Sequence, residues 1–558
     1  MNDSNRRLLL ALAICLGIVF VWQMLFSPPA PNPPPAAKES TPAAPREPLA
    51  ADARVTARPA ADAAVDEPEG PPVTVESSRW RGLLSPRGAA LESFVLKHPR
   101  YREERGEKGK TAPVELVQAG KPPFPFEVDF GPALTPTAPW RAEAVSQNVW
   151  RFVKEDARAR LTKTFRFDPR SHVARLELRA ENRGSVPAAQ RIAVRVHGRQ
   201  GPGGGPSMMN PNPRFWRPVC YANGKVHREE PGELTQEQRA FVGDVRWTGI
   251  DDPYFLMAVV VAGQEQDKES RRCVMRGEKV SGESGRFSAT MELAERMVPP
   301  GGSLEQAFVL YLGPKVLGDL DAVLVDGKPA GLAEAVDFGW LEVLCRPMLW
   351  LLKLFQTWVG NWGVAIILLT LVVKFGTLYW TQKSMRSMRK MAKLGPEMKK
   401  LQEKYASDKD RLNKETWALY KREGVNPLGS CLPMLLQMPI WLALYRTLAG
   451  SVELYRSSFV WWIDDLARPD RYFVLPILLG LLSIVQARIQ TTNPSDPQQK
   501  MMMWMMPVMF LFFSLFVPSG LTLYWLINTV LTLGHQWLMN RTDGGAAPKA
   551  PQLAGAKT

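Results

Sequence analysis

The stretch WGVAIILLTLVVKFGTLYW, residues 362–380, decides the fold, because it is long and apolar enough to cross a lipid bilayer. A helix of this length extends about 28 Å, close to the thickness of the hydrocarbon core. A single charged residue, Lys374, interrupts the run, and a lysine at the centre of a membrane helix costs roughly 2.5–3.5 kcal/mol on insertion scales. The stretch therefore predicts a membrane-spanning helix that carries a costly charge.

Lys374 shares one face of this predicted helix with hydroxyl side chains. Steps of three or four residues place Thr370 and Thr377 beside it, while the other faces are apolar. This pattern favours a functional positive charge inside the membrane. A second interpretation stays open, because Lys374 lies only about 9 Å from the predicted cytoplasmic end of the helix and could reach the headgroups from there. Threonine hydroxyls in such helices also often bond their own backbone.

Four more apolar segments follow, at residues 428–448, 472–490, 501–517 and 521–538. Polar residues recur in them: Gln437, Ser483, Gln486, Ser514, Thr522, Asn528, Thr529 and Thr532. If these residues face one another, they line a hydrated and positively charged cavity together with Lys374. Prolines inside the segments, such as Pro439, predict helices that bend near such a cavity.

An earlier apolar run, residues 8–26, follows Arg6 and Arg7. Its length favours an uncleaved anchor over a cleaved signal peptide, with the arginines on the cytoplasmic side. We therefore predict an N-terminal transmembrane anchor at residues 1–27. Residues 28–72 are rich in Pro and Ala, which predicts an extended linker that has no core of its own.

The charges of the loops predict the membrane topology. Residues 383–426 hold thirteen Lys and Arg against six Asp and Glu, and residues 450–471 hold three Arg against four acidic residues. The positive-inside rule places the first segment in the cytoplasm and the second outside. Six spans result, with both termini in the cytoplasm. A methionine and leucine seam with three- and four-residue spacing predicts that residues 383–426 form a helical hairpin, bent at Gly395 and Pro396.

Strand patterns dominate residues 73–337. The segments LTKTFRF (161–167) and HVARLELRAEN (172–182) alternate polar and apolar residues around a short turn, and the pattern returns near residues 286–313. A large antiparallel β-sandwich outside the cytoplasmic membrane is predicted. Residues 338–361 predict an amphipathic helix in the membrane interface, residues 362–540 a five-span core, and residues 541–558 a cytoplasmic tail.

Several classes of protein are disfavoured. No GxSxG, HExxH, Walker-type or GxGxxG motif occurs in its proper context, so we expect no enzyme and no cofactor. The His and Cys residues are scattered, so we expect no metal site. Cys220 and Cys273 could form one disulfide, but no spacing pattern supports it. The net charge of +15 is accounted for by topology, so we expect no specific nucleic acid partner.

Five sequence blocks resemble the YidC-type membrane protein insertases of Gram-negative bacteria. They are GNWGVAIILLT (360–370), ALYKREGVNPLGSCLPMLLQMPIWLALY (418–445), GSVELYRSSFVWWIDDL (450–466), DPQQKMMMWMMPVMF (496–510) and FVPSGLTLYWLIN (516–528). The resemblance covers essentially the whole chain. It implies a multi-span α-helical protein of the inner membrane with a periplasmic all-β supersandwich, whose core spans enclose a hydrophilic groove.

The resemblance also implies roles for individual residues. The groove would include Lys374 and Thr370, and from the pattern of polar residues we expect Thr377 and Gln437 to line it as well. Client helices would slide along a surface that includes Met438, Trp441, Tyr524 and Trp525. The basic cytoplasmic hairpin would be required for activity, and its expected residues are Lys383, Arg386, Arg389, Lys390, Lys399 and Lys400. The implied partners are nascent membrane proteins, the Sec translocon, the ribosome and the lipid bilayer.

Two departures from the family pattern qualify these expectations. The family carries an arginine at the position of Lys374, and lysine keeps the charge but loses the bidentate fork. The tail carries few basic residues, so docking of ribosomes through it is doubtful. The expected function is insertion and folding of inner-membrane proteins, alone or with the Sec translocon. The alternatives are a secondary transporter with a periplasmic sensor domain, which would call for matching repeats, and a membrane-anchored, sugar-active β domain.

Overall fold

The structure is a computed structural model that describes residues 70–104, 111–117, 122–131, 139–199, 215–235, 237–263, 265–278, 285–405, 408–424, 432–490 and 497–542. The predicted anchor and most of the predicted linker lie outside the described residues, as does the tail from residue 543. All described residues belong to one compact unit.

Strands fill the first half of this unit. In chain order they are β1 Val73–Glu76, β2 Trp80–Ser85, β3 Ala90–Leu96, β4 Arg102–Glu104, β5 Thr111–Pro113, β6 Glu115–Val117, β7 Glu127–Asp129, β8 Arg141–Ser146, β9 Val149–Glu155, β10 Ala159–Phe167, β11 Val173–Asn182, β12 Ala188–Gln190, β13 Ala193–Arg199, β14 Arg217–Ala222, β15 Lys225–Arg228, β16 Arg239–Gly243, β17 Val245–Asp251, β18 Phe255–Ala262, β19 Arg271–Glu278, β20 Arg286–Glu292, β21 Arg296–Val298 and β22 Ser303–Pro314; the short pair β23 Leu324–Val325 and β24 Lys328–Pro329 follows.

Two large antiparallel sheets form a sandwich, which confirms the predicted β class. One sheet has nine strands in the order β15-β14-β17-β18-β22-β11-β10-β9-β8, and the other has five in the order β16-β19-β20-β13-β7. A four-stranded sheet, β1-β2-β3-β6, packs beside them. Strand β11 alternates buried and more exposed residues along its length, as its sequence predicts. Strand β18 is buried throughout, because Met257 and Val259 on one face belong to the core between the sheets, whereas Ala258 and Val260 on the other face pack in a second apolar cluster with the segment after β22.

The core lies between the sheets and is continuous. Val194 and Phe287 of the five-stranded sheet share one apolar cluster with Ile250, Val259 and Leu310 of the nine-stranded sheet. A disulfide joins Cys220 of β14 to Cys273 of β19 across the sandwich, with Cα atoms 6.5 Å apart. The pairing that the sequence left open is therefore present in the structure, and a disulfide suits an oxidising compartment such as the periplasm.

A buried cluster of charges closes the end of the sandwich that leads to the helices. The Asp251 carboxylate accepts hydrogen bonds from Arg228 Nε at 3.1 Å and from Lys315 Nζ at 3.0 Å. Both cations also donate to the carbonyl oxygen of Ala335. Burial alone would raise the pKa of Asp251, but the Arg228 guanidinium and the Lys315 ammonium outweigh it and lower that pKa. The cluster thus fixes the segment by which the chain leaves the sandwich.

Helices follow the sandwich. They are α1 Leu317–Asp321, α2 Glu342–Val359, α3 Trp362–Lys393, α4 Gly395–Lys404, α5 Lys409–Arg422, α6 Leu432–Gly450, α7 Val474–Gln490, α8 Pro497–Ser514 and α9 Ser519–Thr542. Short 3₁₀ helices occur at Arg87–Ala89, Glu233–Thr235, Glu265–Ser270, Leu332–Ala335, Gly339–Leu341 and Val452–Leu454. The break between α3 and α4 falls at Leu394, next to Gly395 and Pro396.

Tight connections orient α2 and α3. Gly360 ends α2 in the left-handed conformation at φ 69°, a conformation that glycine adopts without strain. Asn361 then caps α3, because its side-chain oxygen accepts the backbone N–H of Gly363 at 2.8 Å and of Val364 at 3.2 Å. A Cβ at Gly363 would collide with the Phe459 ring, so the loop after α6 packs directly against the first turn of α3.

Large apolar side chains remain exposed on the helical core. Phe375 and Tyr379 of α3 are about seven-tenths exposed, and Ile477, Leu481 and Ile489 of α7 are more than half exposed. Apolar surface of this extent is expected where lipid rather than water covers a protein. Among the described residues, the segment Trp362–Ser387 combines the length and hydropathy needed to cross a membrane, and Val474–Ile489 is apolar but shorter.

Candidate functional site

Lys374 lies in the middle of α3 and points to the last helix. Its Nζ donates to Thr532 Oγ1 at 2.7 Å and to Asn528 Oδ1 at 3.4 Å. Both partners are neutral, and within the ranges that the structure describes no carboxylate forms an ion pair with Lys374. The side chain is half-buried. The protein therefore holds a positive charge between α3 and α9 that its immediate neighbours do not neutralise.

The predicted threonine partners of Lys374 bond to their own helix. Thr370 Oγ1 donates to the carbonyl oxygen of Ile366 at 2.7 Å, and Thr377 Oγ1 donates to that of Val373 at 2.9 Å. Thr370 is almost fully buried. The two residues share the Lys374 face as predicted, but the polar contacts of the lysine reach across to α9. That Thr370 and Thr377 line a groove stays a prediction.

Gln437 connects a second helix to the same face of α9. Its amide nitrogen donates to the hydroxyl oxygen of Tyr524 in a short hydrogen bond. Tyr524 is buried except for one per cent of its surface. One predicted groove residue and one predicted slide residue are therefore in direct contact, and α9 contacts both α3 and α6 through polar groups.

Aromatic rings form an apolar surface beside these polar contacts. The ring of Trp441 in α6 stacks on Trp525 of α9, with centroids 5.5 Å apart and planes at 24°. Phe510 and Phe513 of α8, the helix that precedes α9, also contact the Trp525 ring. Met438, one turn before Trp441, is 40% exposed. The predicted slide residues thus lie near one another, although their role is untested.

The segment predicted as a cytoplasmic hairpin, residues 383–426, contains the end of α3 and the helices α4 and α5. The helices α4 and α5 pack against each other, and their cytoplasmic location stays a prediction. Leu394 and Leu419 are buried at the centre of this contact, and Arg422 pairs with Glu397 at 3.0 Å between the two helices. Four of the predicted basic residues are exposed: Lys383, Arg386, Lys390 and Lys400. The side chains of Arg389 and Lys399 lie outside the described residues.

From the sequence, Asn528 and Thr532 were predicted to line the cavity with Lys374 if the polar residues of the spans face one another, but they were not singled out as contacts of the lysine. Phe510 and Phe513 were not identified. Asn528 and Thr532 were visible only as two polar residues among several in the predicted spans. Their separation by one helical turn, following Tyr524 at the same spacing, is the signal that could have marked them as one face.

Family models match almost the whole described chain. The model for the YidC periplasmic domain matches residues 72–351, and the model for the 60Kd inner membrane protein matches residues 354–545. The membrane protein insertase YidC of Syntrophus aciditrophicus is 32% identical, over 96% of this chain and 99% of the relative. The chain belongs to the YidC family of membrane protein insertases.

Other YidC proteins align over their full length as well. The membrane protein insertase YidC of Anaeromyxobacter sp. strain K is 35% identical, over 99% of this chain and 100% of the relative. A crystal structure of an active YidC insertase with its first transmembrane domain resolved is 17% identical, covering 85% of this chain and 95% of that one at a TM-score of 0.36. The YidC family places this protein in the inner membrane with a periplasmic β-sandwich and a helical C-terminal core.

Proposed function

We propose that this insertase transfers the polar tail of a client through a hydrophilic, positively charged groove bounded by α3, α6 and α9. The observation that carries the proposal is the environment of Lys374, whose ammonium meets the neutral oxygens of Asn528 and Thr532. A cation without a carboxylate partner keeps its attraction for anions, and that attraction grows as water is excluded. Acidic residues in the tail of a client are the matching chemistry.

The transfer combines a polar and an apolar surface. A partly hydrated groove lowers the cost of moving polar tail residues into the bilayer. The apolar helix of the client then slides past Met438, Trp441 and Trp525 into lipid. Apolar transfer and the membrane potential would drive the process, with no covalent chemistry, no nucleotide, no metal and no cofactor.

The proposed topology has six spans, with both termini and the basic hairpin in the cytoplasm and the sandwich in the periplasm. The charge difference between residues 383–426 and 450–471 supports it, and so does the exposed apolar surface of α3 and α7. In this arrangement residues 338–361 lie in the interface, residues 362–540 form the five-span core and residues 541–558 form the tail.

The proposed partners are nascent membrane proteins, the Sec translocon, the ribosome and the lipid bilayer. The exposed lysines and arginines of α3 and α4 support contact with anionic surfaces at the cytoplasmic side. Residues 541–558 hold few basic residues, so we place any ribosome contact on the hairpin rather than on the tail.

Reconstitution in proteoliposomes tests the function. The full-length protein should integrate a single-span client with a short acidic tail, measured as the protease-protected fraction, without passing solutes. Lys374→Arg should retain insertion, Lys374→Leu should reduce it, and Lys374→Glu should reduce it further. Normal insertion of the acidic-tailed client by Lys374→Leu would show that charge attraction is wrong, and solute flux without insertion would indicate a transporter.

A further inference from the structure

One face of α9 carries polar residues at every turn. Tyr524, Asn528 and Thr532 are spaced by four residues, so their side chains project from the same side of the helix. Tyr524 contacts Gln437 of α6, and the other two contact Lys374 of α3. We call Asn528 and Thr532 the α9 polar pair.

The hydroxyl of Thr532 has a fixed orientation. Its single proton is donated to the carbonyl oxygen of Asn528 at 2.6 Å, within α9. Because a hydroxyl has one proton and two lone pairs, a lone pair remains for the Lys374 ammonium at 2.7 Å. Thr532 is therefore held as an acceptor in front of the lysine, and it is buried.

Asn528 provides the second contact to the Lys374 ammonium. Its side-chain oxygen lies 3.4 Å from Lys374 Nζ, a longer contact than that of Thr532. An ammonium has three N–H groups, and two of them are engaged by the α9 polar pair. Among the residues that the structure describes, the third N–H has no acceptor, so it can bind an incoming carboxylate without loss of either contact.

We propose that Thr532 and Asn528 are positioning residues, which hold the ammonium of Lys374 between α3 and α9 and thereby set the preference of the insertase for clients with acidic tails. The proposal rests on the proposed function. Without the pair, the flexible lysine side chain would extend to the headgroups, where its charge is screened and no longer faces the client. The pair thus keeps the charge inside the groove.

The test compares two clients that differ by one charge. Full-length protein in proteoliposomes inserts a single-span client whose short tail carries Asp, or the same client with Asn. The measured quantity is the ratio of the two initial insertion rates, acidic over neutral. We expect Thr532→Val to lower this ratio by about tenfold, the lower end of the effect of a lost hydrogen bond to a charged group. Thr532→Ser should retain the ratio, because the hydroxyl is kept.

Thr447→Val is the matched control. Thr447 also donates its hydroxyl to a carbonyl one turn earlier in its own helix, that of Ala443 at 2.8 Å, and it is buried like Thr532. The substitution removes the same intrahelical bond without touching Lys374, so the ratio should stay at its wild-type value. In the Lys374→Leu background, Thr532→Val should have no further effect on the ratio, because the two residues act together.

The outcomes separate this proposal from the proposed function. If the wild-type protein inserts neither client, the proposed function fails. If it inserts both and Thr532→Val slows them equally, or leaves both unchanged, the positioning role is wrong while the function stands. A fall of the ratio that persists in the Lys374→Leu background also overturns the proposal, because the effect would not act through the lysine.

Discussion

The β-sandwich contains buried lysine side chains and the helical core contains a half-buried one, but their hydrogen-bond partners differ. In the sandwich, Lys315 donates to the Asp251 carboxylate at 3.0 Å, and both side chains are almost completely buried. In the helical core, Lys374 donates to the hydroxyl of Thr532 and the amide of Asn528. The first charge is neutralised by its neighbour, whereas the second is only held in place.

A third lysine shows another solution. Lys163 in β10 is fully buried and donates to the carbonyl oxygens of Gly88 and Phe126 at 3.1 and 3.0 Å. Burial lowers the pKa of this amine to about 7 and outweighs the opposing attraction of the Glu127 carboxylate, so the sandwich reduces the charge of Lys163. In the sandwich a buried lysine is either paired with a carboxylate or loses part of its charge, whereas under the proposed function the lysine of the helical core keeps its charge available to a client.

The largest expected effect comes from removing the carboxylate partner of the buried lysine in the sandwich, so that this lysine, like Lys374, has only neutral partners. Asp251→Asn would leave Lys315 buried without its carboxylate partner and would leave Arg228 only its longer contact with Asp337 at 3.7 Å. We expect the free energy of unfolding of the sandwich to fall by about 3–5 kcal/mol. Urea unfolding of the full-length protein in detergent, followed by hydrogen exchange in β17 and β22, measures it.

Asp244→Asn is the control for this loss. Asp244 pairs with Arg246 at 3.2 Å on the surface, where such pairs contribute about 1 kcal/mol or less. An equal loss in both variants would contradict the special role of the buried cluster.

The next effect concerns Lys163 and is a dependence on pH. Its pKa of about 7 in the folded protein lies below the value of about 10.4 in an unfolded chain. Between these values the unfolded chain binds more protons, so the free energy of unfolding should rise with pH, by up to roughly 1.4 kcal/mol per pH unit. Below pH 7 both states are protonated and this contribution stays constant.

Lys163→Met should remove this slope, while Lys225→Met, at an exposed position of β15, should keep it. Hydrogen exchange of β10 in the full-length protein at pH 7, 8 and 9 measures the effect. A slope that is the same in all three proteins would show that Lys163 does not titrate as described.

The converse substitution gives the lysine of the helical core a carboxylate partner, as Lys315 has in the sandwich. Asn528→Asp would place a carboxylate beside Lys374 and convert a held charge into a neutralised one. We expect the ratio of acidic to neutral insertion rates to fall by about tenfold, since the ammonium would be paired before the client arrives. The neutral-tailed client should be inserted nearly as before. An unchanged ratio would mean that pairing the Lys374 ammonium with a carboxylate does not reduce its attraction for an acidic client.

A smaller effect is expected on the aromatic surface. Trp525→Leu removes the stacking on Trp441 at 5.5 Å, an interaction of about 0.5–1.5 kcal/mol beyond its buried area. In the same proteoliposome assay, both clients should be inserted a few times more slowly. The ratio of acidic to neutral insertion rates should be preserved. A selective loss of the acidic client would place Trp525 in the charge-dependent step instead.

The smallest effect should come from the hairpin. Arg422→Gln removes the ion pair with Glu397. Both side chains of this pair are more than half exposed, so the packing of α4 on α5 should lose less than about 1 kcal/mol of stability. Limited proteolysis between residues 395 and 422 measures it. A strong increase in cleavage would show that the pair, rather than the apolar contact of Leu394 with Leu419, holds α4 and α5 together.

The classes of both regions could be predicted from the sequence, because each follows from a local period. Alternation along β11 predicted a strand with one buried face, and the apolar run around Lys374 predicted a membrane helix. The partners of Lys374 could not be predicted, since Asn528 follows it by 154 residues and local pattern says nothing about contacts at that distance. The same holds for the disulfide between Cys220 and Cys273.

Sequence spacing predicted the face on which two threonines lie but left the hydrogen-bond acceptors of their hydroxyls open. Thr370 and Thr377 share the face of Lys374, yet their hydroxyls bond carbonyls one turn earlier. A threonine in a helix can always reach its own backbone, and this local bond competes with any contact to another helix. Sequence spacing identifies the face of a side chain but does not decide between these acceptors.

Tyr455, in the loop between α6 and α7, has a mechanical consequence. Its ring is buried against Tyr254 of the sandwich, and its hydroxyl donates to the carbonyl oxygen of Arg102 at 2.6 Å. The same loop accepts the first backbone N–H groups of α9, from Ser519 and Gly520. A force applied to the sandwich would therefore be transmitted to the start of α9, the helix whose Asn528 and Thr532 contact Lys374. In a single-molecule pulling experiment, the loop and the sandwich should unfold in one step.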